Sequence, residues 1–210
     1  MSGRVSPVVV YPYESQWGDI ACNRPLIEEG ADPSRFFDWA TDGYPSVEEY
    51  LFWSHHVCGL ASLRSVLRAW TPEHGRIAMF ELVRRARRRG ALTRDGDVVG
   101  GLFYRPFVEW IGEDFGIEGT VHPFVEAEGL LAHVRAGGVA LASVSPEIRY
   151  PDRPNARRGG HLVLVHRFDG DRITLHNPSG VPGTAENAEV DLPTFERFFA
   201  HRGVTLTPPA

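Results

Sequence analysis

The spacing of the apolar residues changes after residue 136, and this change constrains the fold more than any other feature of the sequence. Before it, apolar residues recur every three or four positions, which is typical of amphipathic helices. The pattern predicts helices from Ser46 and over about 58–70, 76–89, 105–115 and 125–136. After it, the apolar run 139–144 indicates a buried strand, and the segments 161–167 and 172–176 flank Asp169-Gly170, which predicts a hairpin. Helices followed by antiparallel strands predict an α+β domain with a helical lobe and a sheet lobe.

Three shorter elements complete the predicted fold. A strand is expected at 8–11, where the apolar run VVVY ends at a proline. Towards the other end, Asp191 is positioned to cap a helix over about 192–200, and a strand is expected at 203–206. A chain of 210 residues with 42% apolar residues has the length and composition of one folded domain, so we expect a single domain over residues 1–210.

All 22 basic residues are arginine, and the absence of lysine excludes several mechanisms. Schiff-base catalysis, P-loop phosphate binding and Ser-Lys dyads each need a lysine side chain. The formal net charge of −5 argues against a nucleic-acid surface or an anionic-membrane surface. Five arginines lie at residues 84–89, at the end of a predicted helix, and we interpret them as a solvated face that the helix dipole favours. The partners that we expect therefore include neither nucleic acid nor membrane.

The chain contains two cysteines, Cys22 and Cys58. The first residues of the sequence do not have the pattern of a secretory signal. Two cysteines in a chain of this length are then typical of free thiols in a reducing compartment. No run approaches the roughly 18 apolar residues that a membrane span needs. We therefore expect a cytoplasmic protein.

Cys58, His161 and Asn177 are the candidate catalytic residues. Cys58 opens a predicted helix, where the field of the helix N-terminus stabilises the nucleophilic thiolate. His161 opens one strand of the predicted hairpin and Asn177 follows the other, so their side chains are expected to be neighbours. A nucleophile at a helix start, with a base and its orienting amide on one hairpin, is what a Cys-His-Asn catalyst needs. The alternative for Cys58 is a buried packing role, which is the favoured interpretation of Cys22.

Four segments carry a resemblance to a known family and follow one another in the order of that family. They read V-V-V-Y-P-Y-E-S-Q (8–16), V-C-G-L-A-S-L (57–63), G-G-H-L-V-L-V-H (159–166) and L-H-N-P-S-G (175–180). In these segments the chain resembles the papain-like cysteine peptidases of the bacterial double-glycine leader peptidase type and their stand-alone relatives. The resemblance covers most of the chain. It implies a papain-like fold with the active site between the helical lobe and the antiparallel sheet lobe.

The resemblance also implies a role for each matching residue. Cys58 would be the nucleophile, His161 the general base and Asn177 the orienting residue. Gln16 would form the oxyanion hole with the backbone N–H of Cys58. The family glutamine lies within about a dozen residues of the cysteine, so the longer separation here indicates an insertion at about 17–54. The alternatives to Gln16 as donor are the residues just before the cysteine, namely Ser54, His55 and His56.

Substrate contacts are expected from the two long segments beside the predicted site. In the segment 145–160, Arg157 and Arg158 are suited to bind a carboxylate or a phosphate. Trp53, in the segment at about 17–54, and His56, which follows that segment, are also expected to contact the substrate. No metal site is expected, because adjacent histidines do not easily share one ion and the chain has neither C-x-x-C nor H-x-x-x-H spacing. We expect no cofactor.

The sequence therefore predicts a cysteine-dependent acyl-transfer enzyme that acts on a peptide or a small acyl substrate through a thioester on Cys58. With water as the acceptor it would be a peptidase or amidase. With an amine as the acceptor, the same residues would serve an acyltransferase or amide-forming enzyme of a biosynthetic pathway. A catalytically inactive peptide-binding module is the third interpretation.

Overall fold

The computed structural model describes residues 9–209, and its helices from Val47 onwards follow the predicted pattern, whereas the helix at Asn23–Glu29 is not predicted. They are α1 (Asn23–Glu29), α2 (Val47–Ser54), α3 (Cys58–Trp70), α4 (Met79–Arg88), α5 (Tyr104–Phe115), α6 (Ala127–Arg135) and α7 (Leu192–Phe198). The predicted caps are present, because Ser46 Oγ accepts the backbone N–H of Glu49 and Asp191 accepts that of Thr194. Short 3-10 helices at Ile20–Cys22, Pro33–Arg35, Trp39–Asp42 and Pro146–Arg149 stand between the longer elements.

The strands form one two-stranded hairpin and one six-stranded antiparallel sheet. They are β1 (Leu92–Asp95), β2 (Val98–Leu102), β3 (Glu118–His122), β4 (Val139–Val144), β5 (His161–Asp169), β6 (Arg172–His176), β7 (Ala188–Asp191) and β8 (Phe199–Thr207). β1 pairs with β2, and the large sheet has the order β3-β8-β4-β5-β6-β7. Strand β4 lies inside this sheet with all its residues buried, as its unbroken apolar run predicts. Strands β5 and β6 form the predicted hairpin.

Successive side chains of β4 and β5 point to opposite faces of the large sheet. Both faces therefore carry apolar side chains, and helices cover both. One face, with Leu141 and Leu164, packs against α3, α4 and α5. The other, with Ala142 and Val163, packs against α6 and α7. The α+β class is therefore as predicted. The division at residue 136 is less clean, since β3 belongs to the sheet and α6 covers the face opposite α3.

Some strands differ from the prediction. Residues 9–11 have no regular secondary structure, and the Tyr11 carbonyl accepts a hydrogen bond from the side chain of His176 rather than from the backbone of a strand. Val8 of the predicted strand lies outside the described residues, as does the remainder of the segment 1–8, in which the pattern of a secretory signal is not expected. The sequence does not predict β1, β2, β3 or β7, because each has at most five residues and carries glycine or charged residues that interrupt the apolar alternation.

Candidate active site

His161 donates a hydrogen bond to Asn177 at the end of the β5–β6 hairpin. Its Nε2 lies 2.7 Å from Asn177 Oδ1, and both residues are buried. The same oxygen accepts the backbone N–H of Ser179 at 3.1 Å, which is the local turn that asparagine favours. A backbone N–H can only donate, so the Asn177 atom that faces His161 is the amide oxygen. The proton of the neutral ring is therefore on Nε2, and the lone pair is on Nδ1.

Cys58 is the first residue of α3, and its thiol lies at the start of β5. The backbone N–H of Leu162, the residue after His161, interacts with the thiol and lowers its pKa, as do the N–H groups of Gly59 and Cys58. Desolvation is the larger effect, so burial raises the pKa of the Cys58 thiol above its ordinary value. The helix start alone predicts a lowered pKa, and this expectation is wrong because packing against the sheet outweighs the helix field.

His161 is also neutral in the folded protein. Burial lowers the pKa of His161 to about 4, against the hydrogen bond to Asn177 and together with the nearby charge of Arg149. Among the described residues, no direct hydrogen bond joins the Cys58 thiol to the His161 ring. The resting pair is therefore a thiol and an imidazole, and the sulfur has to lose its proton as it reacts.

Two cavities share Cys58 and His161 as lining residues. The larger, of about 440 Å³, extends under the β1–β2 hairpin to Tyr104 and Arg202. The smaller, of about 240 Å³, extends towards Gln16 and is also lined by Trp17, Leu26, Ile27, Pro146, Arg149 and Ser179. A carbonyl group held at the thiol therefore has room for one part of its molecule in each cavity.

The segment that carries Gln16 is held between α3 and the end of β6. Glu14 forms a buried ion pair with Arg64 of α3 at 2.7 Å. Two residues later, the backbone N–H of Gln16 donates to the carbonyl of Pro178 at 3.0 Å. These contacts bring Gln16 to the smaller cavity beside Cys58, although the intervening segment contains α1, α2 and three 3-10 helices.

The side chain of Gln16 and its sequence alternatives occupy different positions. Gln16 Nε2 donates to the Ser54 carbonyl at 3.0 Å, which leaves a second amide hydrogen for another acceptor. The Ser54 hydroxyl donates back into its own helix and lines neither cavity. His55 lines both cavities and His56 the larger one, and burial lowers the pKa of both rings. Gln16, His55 and His56 are thus the donors that line a cavity with Cys58, whereas Ser54 does not.

Of the four residues expected to contact the substrate, His56 is the one that lines a cavity with Cys58. Arg157 and Arg158 are exposed and line a separate depression with Arg197, because the loop leaves the site after Pro146–Arg149. Trp53 is fully buried on the inner face of α2, where its indole N–H donates to Glu49. The structure does not bring Arg157, Arg158 or Trp53 to the site.

Ser179 and Arg149 belong to the site although the sequence motifs do not single them out. Arg149 Nη2 donates to Ser179 Oγ at 2.9 Å, and this oxygen lies 3.2 Å from His161 Nε2. Ser179 follows Asn177 by two residues, a spacing that indicates a turn. This turn is the feature of the sequence that could have predicted the contact between Ser179 and His161. Arg149 belongs to the arginine-containing segment 145–160, but its spacing from His161 gives no sign of their proximity.

The arginines at the end of α4 face carboxylates in the structure. Arg85 pairs with Glu81 at 3.0 Å, and Arg89 pairs with Glu113 and Asp114 of α5.

Across residues 9–209, no cluster of three histidine, cysteine or acidic side chains is arranged to hold a metal ion. Within the same part of the chain, no helix has the length and apolar character needed to cross a membrane.

A scan against protein-family models finds no match to this chain, and a search of curated proteins finds no relative.

Proposed function

We propose that the protein is a cysteine-dependent acyl-transfer enzyme of papain-like architecture, a peptidase or amidase, with Cys58 as nucleophile and His161 as general base. The observation that carries the proposal is the 2.7 Å hydrogen bond from His161 Nε2 to Asn177 beside a thiol that borders the same two cavities. This bond keeps the proton on Nε2 and leaves Nδ1 free to accept the proton of the thiol.

In the first half-reaction, Cys58 Sγ attacks the acyl carbonyl while its proton moves to His161 Nδ1. The carbonyl π electrons move to oxygen, and the oxyanion accepts hydrogen bonds from Gln16 Nε2 and from the Cys58 backbone N–H. That N–H lies in the first turn of α3 and has no partner within the helix. The oxyanion then collapses, the bond to the leaving amine breaks, and His161 returns its proton to the amine. The product is a thioester on Cys58.

In the second half-reaction, an acceptor attacks the thioester. His161 takes the proton of the acceptor as the new bond forms, and then gives it to the departing sulfur. With water the product is a free acid, and with an amine it is an amide. The smaller cavity favours the amine as a second candidate, because Trp17, Leu26 and Ile27 give it an apolar wall beside the thiol.

The experiment follows the fate of the acyl group. The protein is acylated with an acetyl thioester, and release of acetate is compared with release of acetylated amine while glycinamide is titrated. Acetate at every amine concentration supports the hydrolase, and amide formation at millimolar amine supports the acyltransferase. The Cys58→Ala variant should form no acyl-enzyme, whereas Cys22→Ala, the matched control, should behave as wild type. If the wild-type protein forms no acyl-enzyme and binds peptides as well as Cys58→Ala does, the protein is a binding module.

A further inference from the structure

We propose that the acyl donor carries a carboxylate and that Arg202 binds this carboxylate in the larger cavity. The inference rests on the proposed function, since it names the substrate class of the same site. The charged residues around the two cavities are of one sign. The whole chain has 27 acidic and 22 basic residues, yet no aspartate or glutamate is among the residues that line either cavity at Cys58. The larger cavity has Arg202 and the smaller has Arg149, so a ligand at the thiol meets a positive field from both sides.

A bulge in β8 directs Arg202 into the larger cavity. The pairing of β4 with β8 is regular up to Ala142 and Gly203, and it shifts before Val144 pairs with Phe199. His201 lies within this bulge with a φ of +52°, a left-handed conformation that is uncommon for residues other than glycine. Such bulges change the direction of a side chain on an otherwise regular strand. The local backbone strain thus accompanies the placement of a cationic side chain beside the thiol.

Gly159 provides the space in which the guanidinium lies. A Cβ atom at this position would stand 2.7 Å from Arg202 Nη2 and 3.5 Å from Ser143 Oγ. Gly159 is two residues before His161, so the guanidinium rests on the backbone that leads into the candidate general base. A side chain at this position would displace the guanidinium from where it lies, and the φ of +77° at Gly159 also favours glycine.

Two hydroxyl groups accompany the guanidinium. Tyr104 and Ser143 line the same cavity as Arg202, and Ser143 and Arg202 both lower the pKa of the Tyr104 hydroxyl against the larger, opposite effect of burial. A carboxylate next to Arg202 therefore finds a cation and hydroxyl donors together, which is the set that binds carboxylates strongly. Arg149 in the smaller cavity is less available, because its Nη2 already donates to Ser179.

The test compares two alkylating probes that differ only in charge. Acetyl-glutamyl and acetyl-glutaminyl chloromethyl ketones have side chains of almost equal shape, and each alkylates a nucleophilic cysteine with loss of chloride. Intact mass and peptide mapping measure the rate at Cys58. We expect the glutamyl probe to react about tenfold faster than the glutaminyl probe in the wild-type protein. Arg202→Gln should bring the two rates together, and Arg202→Lys should keep part of the preference. Arg157→Gln, an exposed arginine outside both cavities, is the matched control and should leave the ratio unchanged.

A binding measurement separates failure of this inference from failure of the proposed function. Cys58→Ala, with and without Arg202→Gln, is titrated with the amides of acetylglutamate and acetylglutamine in a calorimeter. Tighter binding of the glutamate amide that depends on Arg202 supports the carboxylate site even if Cys58 never reacts, and in that case the proposed function alone falls. Equal rates and affinities for the two probes, absence of binding, or a preference that survives Arg202→Gln would each overturn the inference.

Discussion

His161 Nε2 lies 2.7 Å from Asn177 Oδ1, and this contact decides which nitrogen of the imidazole is able to act as a base. Asn177 is itself held in place, because its backbone N–H donates to the Ala185 carbonyl and its carbonyl accepts the Tyr13 hydroxyl at 3.0 Å. These contacts fix the backbone of Asn177, and the backbone N–H of Ser179 holds its side-chain oxygen. His161 is presented to Cys58 by the end of a rigid hairpin rather than by a loop.

Replacing Asn177 by alanine should slow the acylation of Cys58 by p-nitrophenyl acetate. The imidazole loses the acceptor that fixes its tautomer, so we expect a loss between about tenfold and 100-fold, less than the roughly 10²–10⁴ that general acid–base catalysis contributes. Asn177→Asp keeps the acceptor and should retain more activity. Its charge favours the imidazolium, so the acid limb of the pH–rate profile should move to higher pH. Equal rates for wild type and Asn177→Ala would contradict the orienting role.

Cys58 should react with iodoacetamide before Cys22. Cys58 borders two cavities, whereas Cys22 is fully buried and burial raises its pKa to about 11. Because burial also raises the pKa of Cys58, its alkylation rate should increase as pH rises into the alkaline range. Peptide mapping at several pH values measures both rates. A Cys58 rate that is already constant at acidic pH would show a preformed ion pair with His161 and contradict the neutral resting state.

The free energy of unfolding should fall as the pH is lowered from about 6.5 to about 4. The pKa of His161 is about 4 in the folded state and about 6.5 in the unfolded state, so the unfolded chain binds more protons in this range. The stability linked to neutral His161 is present above pH 6.5 and is lost as the pH falls through 4. The difference corresponds to roughly 3 kcal/mol. Urea denaturation across the pH range should show this slope reduced in His161→Gln, and an unchanged slope would refute the assignment.

Arg64→Leu should destabilise the fold. Arg64 is buried between Glu14 and Asp42, so its loss leaves Asp42 buried without a cation and leaves Glu14 with Arg68 as its remaining partner. We expect a cost of roughly 3–5 kcal/mol in the free energy of unfolding. Arg24→Leu is the matched control, because Arg24 pairs with Glu28 on the surface, where the expected change is below about 1 kcal/mol. Similar denaturation midpoints for the two variants would show that the buried ion pair does not hold the segment that carries Gln16.

The sequence predicts the parts of the site that depend on local patterns. The hairpin that carries His161 and Asn177 is marked by two apolar runs and an Asp-Gly turn, and the start of α3 at Cys58 is marked by helical spacing. Gln16 is different. Its location depends on the buried contact between Glu14 and Arg64, which are 50 positions apart, and no local pattern signals such a pair.

Tertiary packing also reverses two expectations that local reasoning gives. The helix start predicts a lowered pKa for Cys58, but the sheet and the hairpin desolvate the thiol and raise its pKa. Arginines in the segment 145–160 are predicted to bind the substrate. In the structure Arg157 and Arg158 line a separate depression, while the exposed Arg202, which lies beside a bulge in β8, lines the larger cavity with Cys58. Such an irregularity in strand pairing, with Ser143 of β4 opposite residues 200–202 of β8, is not visible in hydrophobic periodicity.

The most direct test of the central claim is peptide mapping of the protein after brief reaction with p-nitrophenyl acetate. We expect one acetyl group, on Cys58, that hydroxylamine removes at neutral pH as it removes other thioesters. Cys58→Ala should remain unmodified, and Cys22→Ala should react as the wild-type protein does. His161→Ala should be slower by about 10²–10⁴. An acetyl group on any other residue, with Cys58 unmodified in the folded wild-type protein, would contradict a nucleophilic Cys58.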